Sequence, residues 1–155
     1  MWLGKKKKNQ YVAFMSGQVV PLESVDDQVF STKMMGDGYA IEPTDSEVVS
    51  PIDGEITVAF PTGHAYGIVS KQGVEILLHL GIDTVELDGK GFTPLVSVGD
   101  KVKAGQTIAK MDLDVIKEAG KPVTSMHIFT SGETVEILKV NENVNAKDEG
   151  IIEIL

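Results

Sequence analysis

Three histidines, His64, His79 and His127, are the side chains best suited to chemistry near neutral pH in this 155-residue chain. His64 lies in PTGHAYGI (Pro61–Ile68) and His79 in GVEILLHLG (Gly73–Gly81), two strand-like stretches joined by a turn. If Gln72-Gly73 forms a two-residue loop, His79 pairs opposite Tyr66 with His64 on the diagonal. If Lys71-Gln72 forms the loop, the two histidines face each other directly. In both registers side-chain alternation sets the imidazoles on one face of a sheet, and only a one-residue bulge would part them. Thr62 shares the parity of His64, so its hydroxyl can orient that ring. Such a pair admits three chemistries. With Asp83, which completes H-x-x-x-D from His79, the rings offer nitrogen and oxygen ligands to Zn²⁺. Alternatively one ring takes a group covalently while the other stabilises it, and phosphoryl transfer suits a nucleophile that is neutral near pH 7. The third reading is a polar pair held by backbone carbonyls. His127, in SMHIF, has no parity link to the pair and is read as structural.

The elements that must hold these residues are strands. The chain has 19 Val, 13 Ile and 10 Thr against 8 Ala, and branched side chains suit a pleated surface better than a helix. Gly, Pro and Asp recur roughly every 8–12 residues, the spacing of a sandwich or barrel. Strands are predicted over Val12–Val20, Gly38–Pro43, Glu47–Ser50, Glu55–Phe60, Ala65–Ser70 and Val74–Leu80. Further strands follow over Thr107–Met111, Ser125–Phe129, Thr134–Leu138 and Ile151–Ile154. One short helix is predicted over residues 113–119, with Asp112 as N-cap and Gly120 just past its end. The segments SPIDGEI and VSVGDKVKAGQTIAKMD read as two similar strand-turn-strand units. From residue 11 to residue 155 no linker or shift of composition divides the chain, which predicts a single domain after a basic tail of residues 1–10.

Composition removes several classes of function. Cysteine is absent, so there is no disulfide framework, thiolate nucleophile or Cys-ligated metal, which fits a cytoplasmic location. Net charge is −9, which argues against nucleic acid as a partner. All 14 basic residues are Lys, so any planar, bidentate grip on phosphate must come from a partner's Arg. No GxxxxGK[ST] loop is present, so ATP is not the expected phosphoryl donor, and Gly89-Lys90-Gly91 is read as a turn. No apolar run approaches the length of a membrane span. Trp2, Leu3 and Lys5 to Lys8 have the composition of a weak membrane-surface tether, and equally that of a solvated tail.

The stretch GVEILLHLGIDTV (Gly73–Val85) resembles the active-site signature of the glucose-type enzyme IIA of the bacterial phosphoenolpyruvate-dependent sugar phosphotransferase system. Each constrained position is met, by Gly73, Ile76, Leu77, Leu78, His79, Leu80, Gly81, Ile82, Thr84 and Val85. The resemblance extends through MMGDGYAI (Met34–Ile41), SPIDGEI (Ser50–Ile56), PTGHAYGI and DGKGF (Asp88–Phe92), and covers most of the chain from about Phe14. It implies an all-β antiparallel sandwich and a free-standing phosphocarrier. By this resemblance His79 accepts a phosphoryl group from the carrier protein HPr and passes it to the IIB domain of a sugar permease. His64 stabilises the group and Thr62 hydrogen-bonds His64. Asp27 and Asp83 match acidic positions beside the site. Val29, Phe30, Met34, Met35, Phe60, Leu77 and Leu78 match an apolar collar that docks partners, where the Met side chains can repack against several surfaces. Regulatory targets that sense the phosphorylation state are compatible with this role. No cofactor is required, although His64 and His79 can form a weak Zn²⁺ site that a partner's carboxylate completes.

Two other functions compete. A zinc peptidase of the LytM type uses H-x-x-x-D but also needs H-x-H, and His127 stands alone in MHI. A biotinyl or lipoyl carrier is suggested by VGDKVKAGQTI (Val98–Ile108), but such a carrier needs its Lys at a hairpin tip upstream, whereas Lys110 follows.

Overall fold

The computed structural model describes residues 11–155. The Lys-rich tail and the membrane contact expected of residues 1–8 lie outside the described residues. In chain order the first strands are β1 (Gly17–Pro21), β2 (Asp37–Pro43), β3 (Glu47–Val49), β4 (Gly54–Ala59), β5 (Ala65–Val69) and β6 (Glu75–His79). Then come β7 (Phe92–Pro94), β8 (Lys101–Val102), β9 (Thr107–Met111), β10 (Ser125–Phe129), β11 (Val135–Ile137), β12 (Asn143–Val144) and β13 (Ile152–Ile154). Two short α-helices interrupt them, α1 (Gln28–Ser31) and α2 (Leu113–Glu118).

Eight strands form one sheet in the order β12-β1-β2-β10-β6-β5-β4-β8, and a smaller sheet has the order β3-β9-β7. All registered pairs are antiparallel. Tyr39, Ile41, Tyr66, Ile68, Ile76, Leu78 and Phe129 on the large sheet pack with Val48, Phe92, Ile108, Ala109 and Met111 of the small one in a single core. Composition predicts strands and the resemblance implies an antiparallel sandwich, and the two packed sheets agree with both. The opposite face of β2, β10 and β6 carries a second cluster of Ala40, Met126 and Ile128, covered by Leu22, Val25 and Phe30 from the segment between β1 and β2. Strand β10 is therefore covered on both faces, and all five of its residues are buried.

Local signals explain most elements. Asp112 caps α2 by accepting a hydrogen bond from Val115 N at 3.2 Å, and Gly120 follows with φ +81°. The two similar segments meet through β4 and β8, where Gly54 pairs with Val102 and Asp53 Oδ1 accepts from Ala104 N at 2.8 Å. Several expectations need correction. The first strand begins at Gly17 rather than Val12; residues 12–15 are buried, yet Val12 N bonds to Pro51 O and Ala13 N to Asp148 O outside any ladder. Strands β7, β8 and β12, and helix α1, were not expected. Lys110 lies inside β9 between Glu47 and Thr93, which places it away from a hairpin tip and removes the carrier reading.

Candidate active site

His79 ends β6 and Ala65 opens β5, and these two residues pair directly. The connection is neither predicted two-residue loop: Ser70 N bonds to Val74 O, leaving Lys71, Gln72 and Gly73 as its tip. By strict alternation this register would place His64 on the face opposite His79. The rings nevertheless meet, with centroids 5.3 Å apart and planes at 79°. His64 escapes the alternation because it precedes the strand. It follows Gly63, whose φ of +75° ends a turn closed by Gly63 N to Phe60 O. The His64 carbonyl still accepts from Leu80 N at 2.7 Å, so the turn is tied to the end of β6.

One nitrogen of each ring has a hydrogen-bond partner, and for His79 that partner fixes the tautomer. His79 Nδ1 is 2.9 Å from the carbonyl oxygen of Gly81. A carbonyl only accepts, so Nδ1 carries the proton and Nε2 of the neutral ring keeps its lone pair. Gly81 adopts φ +81°, and a Cβ there would lie 2.4 Å from Thr84 Cγ2, which explains why glycine occupies this turn. On His64, Nδ1 stands 2.6 Å from Thr62 Oγ1, the partner that sequence parity predicted. His64 is only 2% exposed, while His79 is half-buried.

Both imidazoles are held below the ordinary histidine range. For His79 the main cause is burial, partly opposed by the Gly81 hydrogen bond and by the charges of Asp27 and Asp83. For His64 the causes are burial and then the positive charge His79 would carry. Two rings kept neutral at pH 7, one with a free nitrogen lone pair, have the chemistry that nucleophilic attack and stabilisation of a transferred group require.

Around them lies an apolar rim. Val29, Met34, Met35 and Phe60 are exposed, Met34 by 76%. The Phe60 ring lies 5.1 Å from His64, and the Phe30 ring 4.9 Å from His79. Asp27 caps α1 by accepting from Val29 N at 2.9 Å, so it both builds the rim and sits near His79. Two expected docking residues need correction. Leu78 is fully buried in the main core because it alternates with His79 and points to the other face. Phe30 is only 6% exposed and supports His79 from the second cluster rather than standing out as a surface anchor. Leu77 is half-buried against that same cluster. Val85, two residues after Asp83, is an exposed apolar residue of the signature, at 55%.

His127 is not part of this site. It is fully buried on the core face among Tyr11, Phe14, Tyr39 and Phe129, and neither ring nitrogen has a hydrogen-bond partner within the described residues. Among the described residues no group of three or more His, Cys, Asp or Glu side chains is arranged to hold a metal ion, which leaves the zinc peptidase reading without a ligand set.

A family model described as phosphoenolpyruvate-dependent sugar phosphotransferase system, EIIA 1, matches residues 9–148. A glucose-specific EIIA component from Staphylococcus epidermidis is 41% identical over 149 residues, covering 96% of this chain and 89% of the relative. A glucose-specific EIICBA component from Streptococcus pneumoniae is 48% identical over 126 residues, covering 81% of this chain; those residues span only 17% of the relative. Among solved structures, glucose permease IIA from Mycoplasma capricolum matches with a TM-score of 0.87 and 42% identity, over 98% of this chain and 99% of that one. The chain therefore belongs to the EIIA 1 family of the phosphoenolpyruvate-dependent sugar phosphotransferase system, whose members are phosphotransferase relay components.

Proposed function

We propose that residues 11–155 form one enzyme IIA domain in which His79 Nε2 accepts a phosphoryl group from HPr and passes it to the IIB domain of a sugar permease. The observation that carries this reading is the His79 Nδ1 to Gly81 carbonyl hydrogen bond, which leaves Nε2 unprotonated beside His64. The Nε2 lone pair attacks phosphorus as the bond from phosphorus to the donor breaks, and the donor keeps that electron pair. In the tautomer in which the Thr62 hydroxyl donates to Nδ1, His64 presents Nε2–H to a phosphoryl oxygen. Charge is spread over those oxygens in a loose transition state, so placement of the two rings contributes more than proton transfer.

A net charge of −9 without Arg suits attraction of a basic donor that brings its own guanidinium groups. Fusion of the related sequence to IIC and IIB segments in the Streptococcus pneumoniae relative supports a IIB acceptor, and the relatives' names point to glucose as the sugar. No helix among the described residues is long and apolar enough to cross a membrane, which is compatible with the cytoplasmic location this exchange needs. Zn²⁺ at His64 and His79 would require a further ligand from a partner, and phosphorylation of His79 would compete with it. The test is incubation with phosphoenolpyruvate, enzyme I and HPr, followed by intact mass. One acid-labile phosphoryl group is expected, and no gain in mass with active donors would overturn the reading.

A further inference from the structure

The carbonyl that orients His79 belongs to a glycine in the left-handed region, where a peptide can reorient with little steric cost. Gly81 needs to be held from outside itself. Its own N–H, in the peptide shared with Leu80, donates to Ser125 Oγ at 3.2 Å. The peptide that contains its carbonyl is tied by Ile82 N, which donates to Pro122 O at 3.1 Å. The Leu80 carbonyl accepts from Thr84 Oγ1 at 2.6 Å, within the same turn. Both outside tethers thus come from residues 122–125, at the entry to β10. Ser125 is the one side chain among them and is fully buried. Its hydroxyl proton goes to Val123 O at 2.9 Å, so a lone pair meets the Gly81 N–H and donors and acceptors are matched along the chain.

We propose that Ser125 is a positioning residue for phosphoryl transfer: by fixing the Leu80–Gly81 peptide from β10 it sets the backbone angle at Gly81, which keeps the Gly81 carbonyl of the next peptide on His79 Nδ1–H and so keeps Nε2 free to attack. This rests on His79 being the phosphorylated residue. In Ser125→Ala the Gly81 N–H is left buried without an acceptor, and the glycine turns to recover one. The carbonyl then leaves Nδ1, and the His79 proton redistributes onto Nε2, where it blocks the nucleophile. A serine that merely satisfied a buried amide would affect stability and leave the tautomer alone.

The experiment uses the full chain with ¹⁵N-labelled imidazoles at pH 8, with His79→Gln identifying the His79 signals. In the wild type, Nδ1 of His79 is expected as the protonated nitrogen. In Ser125→Ala the two nitrogens should move towards a mixed tautomer, and the initial rate of phosphorylation by phospho-HPr should fall on the order of tenfold, the equivalent of about 1.4 kcal/mol. Ser125→Thr, which keeps the hydroxyl, should restore both. If Ser125→Ala loses cooperative unfolding, Ser125→Cys serves in its place, being close to serine in shape with a weaker acceptor. An Nδ1–H signal unchanged in the alanine or cysteine variant would overturn the proposal, whatever happens to stability, and so would an unchanged rate. Continued phosphorylation of His79→Gln would instead overturn the assignment of His79, so the two failures are distinguishable.

Discussion

One sheet carries a histidine on each of its faces, and the faces treat imidazole in opposite ways. Met126 of β10 pairs with His79, while the next residue, His127, pairs with Leu78. A one-residue step along β10 therefore crosses from the reactive face to the core. On the outer face His79 has a carbonyl for one nitrogen, a second imidazole beside it and two nearby carboxylates. On the inner face His127 is boxed by aromatic rings, and neither nitrogen has a partner among the described residues. Both are held in the neutral form, His127 with its pKa pushed down to about 3 by burial. A lowered pKa alone therefore does not distinguish a nucleophile from a packed side chain. A hydrogen bond that frees one nitrogen, together with a route to solvent, does.

The comparison breaks most sharply by substituting each histidine in turn. His79→Gln should abolish phosphate acceptance, while His127→Leu should leave it unchanged, as read by intact mass after exposure to phospho-HPr. Acceptance lost in both, or in neither, would mean that the two faces do not differ in the way described. Within the outer face, His64→Gln should still be phosphorylated but should pass the group to IIB roughly 100-fold more slowly, because the nucleophile remains while a transition-state donor is lost. Equal loss of uptake in the two outer-face variants would remove the division of roles between His64 and His79.

The next contrast concerns Leu78 and Met34. Leu78→Ala should cost about 2–5 kcal/mol of stability by opening a cavity in the core. Met34→Lys should leave the unfolding free energy within about 0.5 kcal/mol, since the side chain is exposed. The same Lys should raise the HPr concentration needed for half-maximal phosphorylation, because it puts a positive charge against a basic partner. Denaturant titrations of both variants and the HPr dependence of Met34→Lys check this. A normal HPr dependence would take Met34 out of the docking surface.

Much of this could be read from the residues, and the failures share a physical origin. Strand β10 has the bounds Ser125–Phe129 expected of it, and α2 starts at the predicted Asp112 cap, because both signals are local. The meeting of His64 and His79 was expected for a reason that proved incorrect. Alternation was applied to a His64 that stands outside β5, where a glycine turn sets its direction instead. The resemblance implies a docking role for Leu78, whereas period-two alternation from His79 assigns it to the core, where it lies. Residues 12–15 are apolar and buried, which mimics a strand, but their backbone bonds are with Val49, Pro51, Lys147 and Asp148, partners that no local pattern reveals. The two- and three-residue strands β7, β8 and β12 likewise exist only through pairing with distant segments. Helix α1 spans four residues, too short for a periodic signal, and its Asp27 cap was read only as an acidic group beside the site.

The smallest expected effect tests the inner face alone. Replacing His127 by Leu removes two buried nitrogens that lack partners among the described residues and puts an apolar side chain of similar volume among Tyr11, Phe14, Tyr39 and Phe129. At pH 7 this should stabilise the protein by about 1–3 kcal/mol, the range for removing an unsatisfied buried polar group. The direction with pH follows from linkage. His127 in the folded state titrates at about 3, below the ordinary value of 6.5 that it regains on unfolding. Below pH 6.5 the unfolded chain binds a proton that the folded one does not. Stability from the neutral ring is therefore complete above about pH 6.5 and is lost as pH falls towards 3, by about 1.4 kcal/mol per pH unit. His64 and His79 are also depressed and act in the same direction, but they are common to both proteins and cancel in the difference. The advantage of His127→Leu should hence be about 2 kcal/mol larger at pH 5 than at pH 7. Urea denaturation of both proteins at the two pH values measures it. A difference independent of pH would show that the inner ring titrates in the folded protein as it does in the unfolded chain, and the contrast between the two faces would then rest on hydrogen bonding alone.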